Sequence, residues 1–366
     1  MTESQTSQVT SYMSQVQVMN EQGEIVNAPL RPPELTDDKI RELYEKMLFI
    51  KIADQKALNL QRQGRMGTYP SVRGQEAIQV ASTTLLKNTD WIVPAFRETG
   101  AIYMHGMPLK NIYLYWMGNE WGSYAPESVN ILPVSIPVGS QMLHAVGIGM
   151  AATRKKTDTI AVTYFGDGAT SEGDFHEAMN FATLYKTPVI FVCQNNQFAI
   201  SVPRSKQTAS PTLAQKAIAY ACEGVQVDGN DLLACYAVCK DAVQRARTEK
   251  MPTFIEAVTY RLRDHTTSDD ATRYRDAVDH ESWKKKDPLL RLQKYLNTKN
   301  LWNEKIEQEL TEKFETEIQA VAEEAEKIIS NPADIFDYTY AEMPERLRQQ
   351  KEELLEFIKR NPPKTH

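Results

Sequence analysis

Residues Ile160–Ala199 read IAVTYFGDGATSEGDFHEAMNFATLYKTPVIFVCQNNQFA, and this stretch decides the fold. IAVTYF is a short β-branched apolar run closed by Gly166-Asp167-Gly168, and VIFVCQ is a second run closed by Asn195-Asn196. Between them Ser171, with Asp174 three positions on, predicts a capped helix start, and Phe175, Ala178, Met179, Ala182 and Leu184 supply an apolar face until Pro188. The pattern is one βαβ unit. Its right-handed crossover places both strands parallel in one sheet with their carboxyl ends on one edge, roughly 5–10 Å apart. Asp167 and Asn196 therefore converge.

One hard oxygen donor from each turn suits Mg²⁺, which keeps few protein ligands and completes its octahedron with phosphates. Gly166 and Gly168 permit backbone N–H groups, with that of Ala169 beside them, to approach phosphate oxygens, and the start of the following helix adds its positive dipole end. The glycines are not followed by GK[ST] and lack GxGxxG spacing, so two common phosphate loops are excluded. GDG alone is equally a tight strand-to-helix turn; the paired asparagines after the next strand favour the metal–diphosphate reading.

GDG, a helix and then NN form a signature similar to that of thiamine-diphosphate enzymes. With GDGATSEGDFHEAMNFA, QNNQFAIS, RQGRMGTYPSVRGQEA and YRLRDHTTSDDATRYR, the chain resembles the α subunit of the decarboxylating first component of 2-oxoacid dehydrogenase complexes over about residues 35–345. The resemblance implies thiamine diphosphate and Mg²⁺, with Asp167, Asn196 and the Phe198 carbonyl on the metal. It implies a Tyr-Arg diphosphate clamp, here Phe96-Arg97, so one hydroxyl is missing. Main-chain groups of Ile136 and Val138 match those that hold the aminopyrimidine ring, and Ser135, Pro137, Ser140 and Gln141 match a monovalent-cation (K⁺) site. His265 and Tyr274 match catalytic positions, His265 also touching the diphosphate with Arg261; Arg275 matches a loop-ordering or phosphate-binding position. Thr266 and Ser268 match positions phosphorylated in some relatives. Thr68 stands where the family commonly has an aromatic at the substrate pocket.

The family's ring-activating glutamate comes from a separate β subunit, and none is nominated in this chain. The resemblance thus implies an α2β2 assembly that decarboxylates a small 2-oxoacid, pyruvate favoured, and reductively acylates a lipoyl group on an acyltransferase second component. A branched-chain 2-oxoacid enzyme, an acetoin-cleaving thiamine enzyme and a non-enzymatic Mg²⁺/nucleotide-binding regulator are the alternatives.

The expected fold is α/β: a doubly wound, mainly parallel sheet over residues 36–290, a helical extension over 291–366, and a mobile tail and extended arm over 1–35. Thr36-Asp37-Asp38 predicts a cap for a helix over 36–63, and RLRDHTTSDDATRYRD has no period and predicts a mobile loop. A net charge of −6 argues against a nucleic-acid partner, and no charge-free apolar run nears the roughly 20 residues a membrane span needs, so a cytoplasmic protein is expected. Cys193, Cys222, Cys235 and Cys239 form no CxxC and read as structural thiols.

Overall fold

A computed structural model describes residues 14–362. Its centre is a six-stranded parallel sheet in the order β2-β1-β3-β4-β8-β7, comprising β1 (Trp91–Val93), β2 (Asn130–Ile131), β3 (Ala161–Gly166), β4 (Val189–Asn195), β7 (Glu223–Asp228) and β8 (Thr253–Val258). A small antiparallel pair, β5 (Phe198–Ala199) with β6 (Val202–Pro203), follows β4. β3 and β4 are direct neighbours, with Gly166 opposite Gln194.

The apolar runs of the central βαβ unit are continuous because both faces of the sheet are covered. Side chains alternate between two cores: Val162, Tyr164, Ile190 and Val192 enter the one built on the Asp37–Arg62 and Leu232–Thr248 helices, while Ala161, Phe165, Val189, Phe191 and Cys193 enter the one under Ser140–Lys155 and Gly173–Leu184. The first long helix is capped as expected, Thr36 Oγ accepting from the Lys39 N–H. Glu304–Glu326 packs across it, Phe314 meeting Phe49 edge-on at 5.2 Å.

Two expectations change. The helix of the βαβ unit begins at Gly173, not Ser171: Asp167–Ser171 form a 3-10 turn, and the Ser171 hydroxyl accepts from Gln207 rather than capping the helix. The segment after Thr212 is a 3-10 helix, Ala214–Tyr220. The mobile tail expected over 1–20 is corrected in its described part; residues 1–13 lie outside the described residues. Val18 and Met19 are fully buried, both their N–H groups donate to the Asp231 carboxylate at 2.7 Å, and Val16 pairs with Val227 on the edge strand β7. A buried acceptor at the start of the next helix and an open sheet edge thus dock this segment.

Candidate functional site

Each parallel strand delivers its functional residues within a few positions of its carboxyl end: β1 leads to Phe96-Arg97, β2 to Ile136 and Val138, β3 to Asp167, β4 to Asn196, and β8 to Arg261 and His265. They meet around β3, where the chain winds outward in both directions, the place at which open α/β sheets bind ligands. A cavity of about 470 Å³ lies there, lined by Phe96, Arg97, Ile136, Val138, Gly166, Asp167, Gly168, Ala169, Asn196, Phe198, Arg261 and His265. Gly168 is required by close approach: a Cβ there would sit 2.7 Å from that of Ala199.

Asp167 is fully buried, yet neither carboxylate oxygen has a hydrogen-bond partner. Burial pushes its carboxyl up to about 6. Such an orphaned carboxylate is costly in a finished core and is what a cation site requires. Asn196 donates to Gln75 Oε1 at 3.2 Å, while its neighbour Asn195 is turned away and spent on Glu256 at 2.7 Å. The Phe198 carbonyl accepts only a long 3.4 Å bond from Arg261. Among the described residues no cluster of three or more His, Cys, Asp or Glu side chains could hold a metal, so a cation here would take a mixed carboxylate, amide and carbonyl set, the donor chemistry of Mg²⁺ completed by phosphate.

Opposite these acceptors stand two buried guanidiniums. Arg97 donates to the Ser71 carbonyl at 2.8 Å and the His265 carbonyl at 2.8 Å, and both Arg97 (3.1 Å) and Arg261 (3.3 Å) approach His265 Nδ1. Burial and the nearby Arg261 charge lower the Arg97 pKa to about 9, and burial also lowers that of Arg261. Two cations packed this closely form a preformed anion seat. Burial and the same two arginines push the His265 imidazole down to about 4. It is neutral in the free chain, and with donors at Nδ1 its proton sits on Nε2.

Phe96, in the place of the expected tyrosine, meets the His265 ring edge-on at 5.9 Å and has no hydroxyl to offer. Tyr274, expected among the catalytic residues, is not in the cavity wall. Its hydroxyl donates to Asp269 and accepts from Arg261 at 2.9 Å, so it orients Arg261. The 261–276 segment is irregular, as its sequence predicts, but tied down rather than free: Thr267 exchanges bonds with Tyr69, and Asp269 accepts from the His265 N–H at 2.8 Å. Arg275, matched to a phosphate or loop-ordering position, lies outside the cavity and donates to the Arg263 carbonyl. Ser135 and Ser140 hydroxyls lie 2.9 Å apart with the Pro137 carbonyl within 3.3 Å of both, and the buried Gln141 Oε1 lacks a partner. An anion between Arg97, Arg261 and His265 should tighten this loop. Tryptic cleavage at Arg263 and Arg273 is expected to slow severalfold on adding thiamine diphosphate with Mg²⁺; equal rates would contradict it.

Sequence reading missed the polar back wall, Gln75, Glu98 and Gln194, and the buried Asp54. Asp54 accepts from Tyr69 (3.1 Å), Ser71 (2.6 Å) and the Val72 N–H (2.8 Å), holding the loop on which Arg97 rests. The only available signal was an acid within the apolar stripe of the first helix.

An unpartnered buried carboxylate, an arginine pair and a strand-end crevice define an α/β enzyme site for a diphosphate-bearing ligand. The family model of the dehydrogenase E1 component matches residues 44–333, and the chain belongs to that family. It is 44% identical over 344 residues, 93% of either chain, to the pyruvate dehydrogenase E1 component subunit alpha of Staphylococcus epidermidis, and equally to that of Staphylococcus aureus.

Proposed function

We propose that the chain is the α half of a thiamine-diphosphate-dependent E1 enzyme that oxidatively decarboxylates pyruvate and passes the acyl group to a lipoyl carrier. The observation that carries this reading is the unpartnered, buried Asp167 carboxylate facing the cavity that Arg97, Arg261 and His265 line. Asp167, Asn196 and the Phe198 carbonyl would hold Mg²⁺; Arg97, Arg261 and His265 the diphosphate, with backbone at Gly166, Gly168 and Ala169; Ile136 and Val138 the ring. Bound thiamine diphosphate supplies the electron sink for loss of CO₂. The protein's own work is to seat, orient and desolvate. Neutral His265 offers its Nε2 proton as a hydrogen-bond donor, and the Phe96, Phe165 and Trp116 rings keep the wall apolar. The Ser135–Ser140 cluster is the proposed K⁺ site.

A β subunit is the proposed partner. Ile136 and Val138 are half exposed at the cavity, and Phe181 and Leu184 in the last turn of the Gly173–Leu184 helix, with Tyr185 just after it, are exposed apolar side chains of the kind an interface covers. A lipoyl-bearing acyltransferase is the proposed acceptor. The four cysteines are free and buried, which supports the proposed cytoplasmic setting; no helix of the described residues is long and apolar enough to cross a membrane.

Pyruvate is preferred over branched 2-oxoacids because the relatives to which the chain is 44% identical are named for pyruvate, and Trp116 stands with Thr68 in the cavity wall. The expected result is a kcat/KM for pyruvate at least about tenfold above that for 2-oxoisovalerate with the cognate β subunit, the range one or two methylenes command. A branched substrate winning tenfold would overturn the substrate choice and leave the cofactor assignment standing.

The raised Asp167 carboxyl predicts a pH dependence. Protons compete with the cation below about 6, where the free site is protonated, and not above it. Affinity for Mg²⁺–thiamine diphosphate should be flat above about pH 7 and fall up to about tenfold per unit below about 6, read by calorimetric titration of the assembled enzyme.

A further inference from the structure

Behind the cavity a chain of buried side chains joins elements far apart in sequence. The Arg97 N–H donates to Glu98 Oε2 at 3.0 Å, and Gln194 Nε2 donates to Glu98 Oε1 at 2.6 Å. Gln79 Nε2 donates both to Gln194 Oε1 at 2.7 Å and to the Arg97 carbonyl at 3.1 Å, and Gln79 Oε1 accepts from the Ala101 N–H at 3.2 Å. Glu98, Gln194 and Gln79 are each at most 2% exposed, and none of their polar atoms is left unpaired. This satisfied network contrasts with the orphaned Asp167 beside it.

We propose that Glu98 is a positioning residue whose acceptor-only carboxylate sets the orientation of both glutamine amides and thereby fixes the Arg97 turn against the end of β4 that carries Asn196. The inference rests on the cofactor reading of the cavity. The network is directional. A carboxylate can only accept, so Gln194 must present its NH₂ to Glu98 and its carbonyl to Gln79, and Gln79 must present both amide hydrogens to Gln194 and the Arg97 carbonyl. An amide at position 98 offers one acceptor and one donor where two donors already point; reversing Gln194 to suit it sets NH₂ against NH₂ at Gln79, and reversing Gln79 breaks its bonds to Arg97 and Ala101. The mismatch cannot be absorbed locally, and the Arg97 turn shifts relative to Asn196.

The test is calorimetric titration of thiamine diphosphate with Mg²⁺ into the assembled enzyme, alongside steady-state kinetics, at about pH 8, above the value of about 7 to which burial pushes the Glu98 carboxyl. Glu98→Gln should weaken cofactor binding about tenfold, the effect of one mispaired buried group, and raise the cofactor concentration for half-maximal rate by the same factor. The exchange Glu98→Gln with Gln194→Glu keeps the total charge and rebuilds every bond in the chain, so it should restore the dissociation constant to within about twofold. Gln79→Met, which cuts the chain outside the cavity wall, should weaken binding like Glu98→Gln and serves if that variant does not assemble. Wild-type affinity in Glu98→Gln or Gln79→Met, or an exchange variant no better than Glu98→Gln, overturns the proposal while the cofactor reading survives. Wild-type enzyme that takes up no thiamine diphosphate overturns both.

Discussion

Asp167→Ala should lose Mg²⁺-dependent thiamine diphosphate binding by at least about a hundredfold, roughly 3 kcal/mol, because it removes the one charged donor on the cation side of the cavity. The same substitution should stabilise the cofactor-free fold. The carboxylate has no partner to lose, and its folded pKa of about 6 lies above the usual 3.8, so ionisation costs stability at neutral pH, a cost relieved as pH falls from about 6 towards 3.8. The shift corresponds to about 3 kcal/mol as an upper figure, so an increase of a few degrees in the apoprotein Tm is expected. A merely structural Asp167 predicts the reverse, a less stable apoprotein with intact cofactor affinity. Calorimetric titration and thermal unfolding of one variant therefore separate the two.

The chain without a β subunit should turn over pyruvate at least about 10³-fold more slowly than the assembled enzyme, on the scale of losing a general acid–base group. Thiamine chemistry needs a carboxylate against the pyrimidine ring, and the acids in this cavity wall are otherwise placed. Asp167 faces the cation seat, Glu98 is held by Arg97 and Gln194, and Glu172 is exposed at the rim. Turnover by the rigorously purified chain with cofactor and Mg²⁺ alone would mean that one of these acids activates the ring.

The part of this architecture legible in the sequence is the part encoded locally. Two apolar runs, their glycine and asparagine stops and an amphipathic segment between them specify a βαβ unit, and parallel strands then force Asp167 and Asn196 to one edge. Arg97, His265 and the cavity-lining Ile136 and Val138 came from motif resemblance, since an arginine or a loop histidine has no periodic signature. The back wall was invisible for a physical reason. Gln79, Gln194 and Glu98 bond across sequence separations of about a hundred residues, and the Glu76–Thr84 helix that carries Gln79 is buried almost all round although half its residues are polar. Helix periodicity assigns such residues to water. The part Tyr274 plays was not legible because a motif gives identity without direction: its hydroxyl bonds Asp269 and Arg261, and its side chain does not line the cavity. Docking of Val18 and Met19 likewise depends on Asp231, some two hundred residues away.

The most direct measurement of the central claim is a calorimetric titration of the wild-type chain assembled with its β subunit, using thiamine diphosphate first with Mg²⁺ and then with excess chelator. The account predicts saturable binding at one cofactor per chain that chelation abolishes. Binding of equal strength in chelator, or no binding with Mg²⁺ present, would contradict it.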